Sequence, residues 1–251
     1  MTPEMTHRHL VIAGAQRCGT TYLRELLAAH PEISMAEPAR PEPKAFLRDI
    51  DHRAYDETFF AHAREGNLLG DKSTSYLDAP DAAERIDATL GPQTKVIVQL
   101  RDPVARAVSH WAFSTQHGLE TRPLDHALRE NLAGPTPWDP SLTSTSPFGY
   151  LEGGSYADKL EPWLAIFGDR LRVTFLDELL SDPSPMLRWL GVAPTVNAPD
   201  GVVNASCVDV PELDRALQDR LRTHFAPADR RLAALLDRPL PWPNEGARWT
   251  P

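Results

Sequence analysis

Runs of consecutive apolar residues, rather than alternating ones, set the pattern of this chain. Leu10–Ala13, Val96–Leu100 and Leu171–Leu176 are short and partly β-branched, as strands buried on both faces of a parallel sheet are. Asn67–Gly70 is a weaker run of the same kind. Each strong run leads into a helical pattern. Tyr22, Leu23, Leu26 and Leu27 follow the first, and Val104 to Gln116 follow the second. There Asp102 suits an N-cap and Pro103 the first helical position. Asp177–Leu180 follow the third, and Met186–Leu190 lie beyond the Asp182-Pro183 break. In the tail, Leu213, Leu217, Leu221, Phe225, Leu232 and Leu235 recur at near-helical spacing, which predicts a helical pair packed on the sheet. Strands alternating with helices predict an α/β fold with a mostly parallel central sheet flanked by helices. Neither a repeat nor a boundary interrupts it, so residues 1–251 read as one domain, long enough to bury a full core.

Two segments follow neither period. Glu37–Pro43 holds three prolines in seven residues, and Leu132–Phe148 is rich in Pro, Ser and Thr. Long loops of this kind are often lids or binding loops. The formal net charge of −9 argues against non-specific binding to nucleic acid or an anionic membrane. Any anion site must therefore be a local basic pocket in an acidic protein. Two cysteines, Cys18 and Cys207, imply a reducing compartment without a disulfide framework. The nine histidines form no H-x-x-x-H pair backed by acidic ligands, so no metal is expected. No apolar run reaches the ~18 residues of a membrane span. Met1 to His9 is polar and carries no secretory pattern, and a cytoplasmic enzyme is the expectation.

The chemistry begins at Gly14-Ala15-Gln16-Arg17-Cys18-Gly19-Thr20-Thr21, between the first strand and its helix. A strand, a glycine turn and a helix N-terminus make an anion cradle, because free N–H groups and the helix dipole point at the bound group. The glycines have the spacing of the nucleotide-binding loop G-x-x-x-x-G-K-[ST], but Thr20 replaces the lysine and Arg17 puts a cation inside the loop. An NTPase loop needs that lysine on the β/γ-phosphates and a metal on its Ser/Thr. So the loop reads as built for a phosphate-like group, with its side-chain chemistry altered.

The loop, with Leu23 and His30-Pro31, resembles the 5′-phosphosulfate loop of sulfotransferases that use 3′-phosphoadenylyl sulfate (PAPS). Arg101-Asp102-Pro103-Val104-Ala105-Arg106-Ala107-Val108-Ser109-His110-Trp111 is similar to that family's 3′-phosphate segment, and the likeness extends through Gly153-Gly154-Ser155-Tyr156 and Leu160-Glu161-Pro162-Trp163. It is nearest the bacterial and heparan-sulfate-type branch. The resemblance implies the P-loop-like sulfotransferase fold and PAPS as donor. It implies that Gln16, Arg17, Cys18, Gly19, Thr20 and Thr21 hold the phosphosulfate, and that Arg101 and Ser109 grip the 3′-phosphate. Arg17 would stabilise charge on the departing 5′-phosphate. The family more often has lysine there; arginine keeps the charge but cannot act as a proton donor. On composition alone, Arg101 reads equally as a solvated partner of Asp102, and Cys18 as a small filler.

Arg40-Pro41-Glu42-Pro43-Lys44-Ala45-Phe46-Leu47 resembles the family's acid-containing stretch. Glu42 falls on the base position, from which a carboxylate can take an acceptor's proton, and Lys44 is a candidate for binding sulfuryl oxygens. Lys72, in Asp71-Lys72-Ser73-Thr74-Ser75-Tyr76, matches a lysine that reaches the transferring group. Asn204-Ala205-Ser206 lies where related enzymes carry a similar short segment. The function implied is sulfuryl transfer to a hydroxyl or amine of a sugar, glycolipid or natural-product acceptor. The competing readings are a P-loop kinase or NTPase, for which Asp102 and Asp177 are the strand-following aspartates, and a nucleotide-binding module without catalysis.

Overall fold

The computed structural model describes residues 7–196 and 208–242, so Asn204-Ala205-Ser206 and Cys207 lie outside the described residues. The chain runs β1 (His9–Gly14), α1 (Thr20–Ala28), β2 (Ile33–Met35), α2 (His52–Phe59), β3 (Leu68–Lys72), α3 (Ala82–Leu90) and β4 (Lys95–Leu100). It continues through α4 (Pro103–Gln116), α5 (Leu124–Ala133), α6 (Tyr156–Phe167), β5 (Leu171–Phe175), α7 (Leu176–Ser181), α8 (Ser184–Leu190) and α9 (Arg215–Leu236). The described residues group into two units. The first falls within Met1–Ala15, Gly19–Leu100 and Pro162–Asn204, the second within Gln16–Cys18, Arg101–Glu161 and Ala205–Pro251.

The first unit is built on a five-stranded sheet of order β2-β3-β1-β4-β5, parallel at every pairing. All six β1 residues are buried, which is why this run is continuously apolar rather than alternating. Leu10 and Ile12 meet Leu23, Leu26 and Leu27 of α1 and Met186, Leu187 and Leu190 of α8 in one buried cluster. β2 is three residues long, too short for either period to show in the sequence. β3 extends past Gly70, so Lys72 ends the strand instead of following it. α2, which the apolar pattern does not announce, starts where the Asp51 side chain accepts from the Arg53 and Ala54 N–H groups. It buries only Tyr55.

The second unit has its own core, in which Val104, Val108 and Trp111 of α4, Leu124 and Leu128 of α5, and Leu217, Leu221 and Phe225 of α9 pack together. Each such buried side chain contributes roughly 1.5–3 kcal/mol relative to exposure. The Asp102 carboxylate caps α4 by accepting from Val104 N–H at 2.8 Å. The tail is not the helical pair that its spacing suggests. It is one helix of 22 residues that runs through Pro227. Proline removes one backbone hydrogen bond, but Phe225 and Leu232 on either side of it are buried and hold the helix in place. No helix among the described residues is long and apolar enough to cross a membrane.

Candidate active site

β1 is the point where the strand order reverses. The chain moves to one side of it for β2 and β3, and to the other for β4 and β5. Open α/β sheets take ligands beyond the carboxyl ends of the strands at such a point. The Gly14–Thr21 loop leaves β1 there. Lys72 ends the neighbouring β3.

Two loop residues adopt the left-handed backbone region, Arg17 at φ 64° and Gly19 at φ 80°. At Gly19 a Cβ would stand 2.6 Å from Leu176 Cδ1, so glycine is required there on both counts. Gly19 precedes α1, whose first turn no side chain caps. The N–H groups of such a turn lack intrahelical partners and favour an anion. Thr20 is buried and Thr21 half-buried at the head of this helix. Gln16 Nε2 donates to Thr145 Oγ1 at 2.6 Å. The Cys18 thiol packs inward, 3.5 Å from the Tyr156 hydroxyl, and burial pushes its pKa up. It fits the filler reading and is no thiolate nucleophile.

The second unit gathers three guanidinium groups. Arg17 donates through Nε and Nη2 to Ser109 Oγ at 3.3 and 3.2 Å, and its Cζ lies 4.6 Å from the Phe113 ring centroid. Burial, then the charges of Arg106 and Arg101, lower the Arg17 pKa to about 10, which leaves it a cation at neutral pH. Among the described residues none of the three pairs with a carboxylate. The obvious partner for Arg101 is engaged elsewhere: Asp102 receives Arg222 at 2.9 and 2.6 Å. The same contacts, with the α4 cap, leave Asp102 no freedom to hold a nucleotide's metal, and Asp177 is exposed beyond β5. Three cations without carboxylate partners among the described residues concentrate positive charge locally in an acidic chain.

Arg106 is the residue sequence reasoning missed. Only 1% exposed, it donates to the Gly149 and Tyr150 carbonyls at 2.9 and 2.7 Å and to the Gln16 carbonyl at 3.4 Å. A Cβ on Gly153 would meet its guanidinium at 2.4 Å. Periodicity reads an arginine in α4 as a solvent-facing position; the glycine pair at Gly153-Gly154 is the one signal that something must pass closely there.

The first unit gathers the acid–base candidates. Lys72 Nζ pairs with Glu42 Oε1. Thr74 donates its backbone N–H to Glu42 Oε2 at 2.9 Å and its hydroxyl at 3.2 Å. Glu42 and Lys72 are 17% and 12% exposed, so the carboxylate is oriented yet still reachable. The Lys44 backbone is left-handed at φ 49°, and its N–H donates to Ser73 Oγ at 2.9 Å. Behind these lies Asp71, wholly buried. It accepts from the hydroxyls of Tyr76 at 2.8 Å, Ser73 at 2.9 Å and Tyr55 at 3.2 Å. Through Ser73, this hub fixes the segment that carries Glu42 and Lys44.

Burial raises the Asp71 pKa to about 6, with the Glu42 charge adding to the rise and the three hydroxyls opposing it. A carboxyl whose folded pKa is raised stabilises the fold below its unfolded value near 4, and that stability is lost as pH climbs through about 6. The expected loss is on the order of 3 kcal/mol. Thermal midpoints measured from pH 4.5 to 7 should therefore fall for the native chain relative to Asp71→Asn. Parallel curves for the two would show that Asp71 ionises without cost.

A family model described as "Sulfotransferase domain" matches residues 7–188. Over 183 residues the chain is 32% identical to heparan sulfate glucosamine 3-O-sulfotransferase 3A1 of Mus musculus, covering 71% of this chain and 43% of that protein. Over 197 residues it is 29% identical to bifunctional heparan sulfate N-deacetylase/N-sulfotransferase 1 of Caenorhabditis briggsae, covering 72% of this chain and 22% of that protein. The chain thus spans less than half the length of these curated relatives. A crystal structure of a sulfotransferase from Alicyclobacillus acidocaldarius matches with a TM-score of 0.71 at 25% identity, covering 93% of this chain and 97% of the other.

Proposed function

The chain belongs to the sulfotransferase family, and from that premise we propose that it acts as a single domain moving the sulfuryl group of PAPS to a sugar hydroxyl or amine. The carrying observation is the group of three guanidiniums, Arg17, Arg101 and Arg106, without carboxylate partners among the described residues. Their charge suits a donor with one phosphate at each end of its ribose. A glycolipid or natural-product acceptor fits the same chemistry. The relatives named for 3-O- and N-sulfation favour a sugar, and they keep both oxygen and nitrogen nucleophiles in view. Two cysteines in 251 residues support a cytoplasmic setting.

In this reading Glu42 accepts the acceptor's proton as its oxygen or nitrogen attacks sulfur in line. The sulfur–oxygen bond to the 5′-phosphate breaks, and its electron pair leaves on the phosphate as 3′,5′-adenosine bisphosphate departs. Arg17 and Lys72 offset charge on the bridging and sulfuryl oxygens, which gives the transfer its cations without a metal. Gln16, Cys18, Gly19, Thr20 and Thr21 surround the phosphosulfate, Lys44 binds sulfuryl oxygens, and Arg101 with Ser109 takes the 3′-phosphate.

Thermal shifts with adenosine 3′,5′-bisphosphate, ADP, and ATP with Mg²⁺ test the donor. A ligand at a hundred times its Kd adds about 2.7 kcal/mol, so the bisphosphate should raise the midpoint by several degrees and ADP by much less. Equal shifts from ADP would remove Arg101 and Ser109 from the 3′-phosphate. A shift confined to ATP with Mg²⁺ would restore the NTPase reading.

A further inference from the structure

His7, His9, His52 and Asp56 meet in the first unit, at the end of β1 opposite the Gly14 loop. His9 opens β1, and His52 opens α2 one turn before Asp56. The strand between His9 and Gly14 spans about 16 Å, so this cluster is separate from the loop. Asp56 stands at its centre. Its Oδ1 lies 2.9 Å from His9 Nε2 and its Oδ2 2.8 Å from His7 Nδ1. His52 Nε2 faces the same Oδ2 at 3.6 Å. His9, His52 and Asp56 offer ligand atoms that all lie within 4.8 Å of one another.

Two features separate this cluster from an ordinary histidine–carboxylate hydrogen bond. His9 is 1% exposed, and Nε2 is the ring nitrogen it turns to Asp56. His52 Nε2 is buried with no hydrogen-bond partner among the described residues, although a carboxylate oxygen faces it at 3.6 Å. Two donors on a tetrahedral zinc, each about 2.0–2.1 Å from the ion, stand roughly 3.3 Å apart. The His52–Asp56 gap is close to that edge, and the His9 contact needs to open by only about 0.5 Å to match it.

We propose that His9, His52 and Asp56 form a site for a divalent transition metal of the zinc class. Two imidazoles and one carboxylate suit zinc, cobalt or nickel better than magnesium or calcium, which prefer all-oxygen shells. Three protein donors leave the fourth position of a tetrahedron to water. The place needs such a staple. α2 buries only Tyr55 and has little apolar hold of its own, yet the Tyr55 hydroxyl reaches Asp71. A metal tying α2 to the start of β1 would steady that hub from the far side. The spacing His52-x-x-x-Asp56, joined by His9 from β1, falls outside the H-x-x-x-H pattern on which the metal-free expectation rests.

The test uses the untagged full chain, stripped with chelator and dialysed against Zn²⁺, with bound metal counted by mass spectrometry. One equivalent should bind and raise the thermal midpoint, and Co²⁺ should give the visible absorption of a tetrahedral site. His52→Ala and Asp56→Asn, at part-exposed positions, should each weaken binding at least tenfold while circular dichroism stays native. His126→Ala, in the exposed His126–Glu130 pair of α5, should change nothing. Binding well below one equivalent, or one equivalent retained in both His52→Ala and Asp56→Asn, would overturn the site. Neither outcome bears on the sulfotransferase reading, because the nucleotide shifts are measured separately.

Discussion

Replacing Glu42 by glutamine should lower kcat by 10²–10⁴-fold, the range a positioned general base supplies, while adenosine 3′,5′-bisphosphate still raises the thermal midpoint as in the native chain. The substitution is nearly isosteric. Its amide oxygen can keep the Thr74 N–H bond that holds Glu42 Oε2 at 2.9 Å, so the segment stays in place. What disappears is the lone pair able to take a proton. The Lys72 ammonium loses its carboxylate partner and becomes free to turn toward any anion within reach. That release makes the two residues non-additive. Lys72→Met alone should cost less than Glu42→Gln, and the double variant little more than Glu42→Gln. Labelled PAPS turnover reads the first effect. A Glu42→Gln enzyme within tenfold of native turnover would mean that another group is the base.

How much of this was legible in the chain depends on where each interaction sits. β1 and β4 showed because burial on both faces makes a strand continuously apolar, and α4 showed because Asp102 and Pro103 occupy their preferred cap positions. β2 was invisible at three residues, and α2 because a helix that buries one tyrosine carries no apolar stripe. The leucine spacing of the tail read as a helical pair, whereas buried residues on both sides of Pro227 keep α9 whole. In the candidate site, Arg17 stood out in the chain as a cation inside a glycine loop, and its guanidinium rests on Ser109. Arg106 was not, since the burial of a charge comes from the carbonyls that come to meet it, here Gly149 and Tyr150, more than forty residues on. The histidine cluster is split between residues 7–9 and 52–56 for the same reason: strand order, not sequence distance, unites it. Asp71 stood in view beside Lys72, but only the tyrosines around it show what it does.

Arg17→Ala should separate stability from catalysis more sharply than any other single change. In the free protein Arg17 is costly. Its backbone is left-handed, and burial together with the charges of Arg106 and Arg101 disfavours its cation. Against this stand two bonds to one serine hydroxyl and a ring contact. Alanine leaves the backbone strain in place but removes the repulsion, so the ligand-free midpoint should hold or rise. A strained, like-charged residue kept at the expense of stability is the pattern of a binding centre awaiting its counter-ion. Loss of one such preorganised charge costs about 10²–10³ in kcat, and the bisphosphate-induced shift should shrink with it. Arg17→Lys should recover part of both, since the charge returns while the forked hold on Ser109 does not. If Arg17→Ala instead unfolds the protein or turns over within tenfold of native, the loop cation is a packing element, and the charge that drives transfer must come from Lys72 or Arg101.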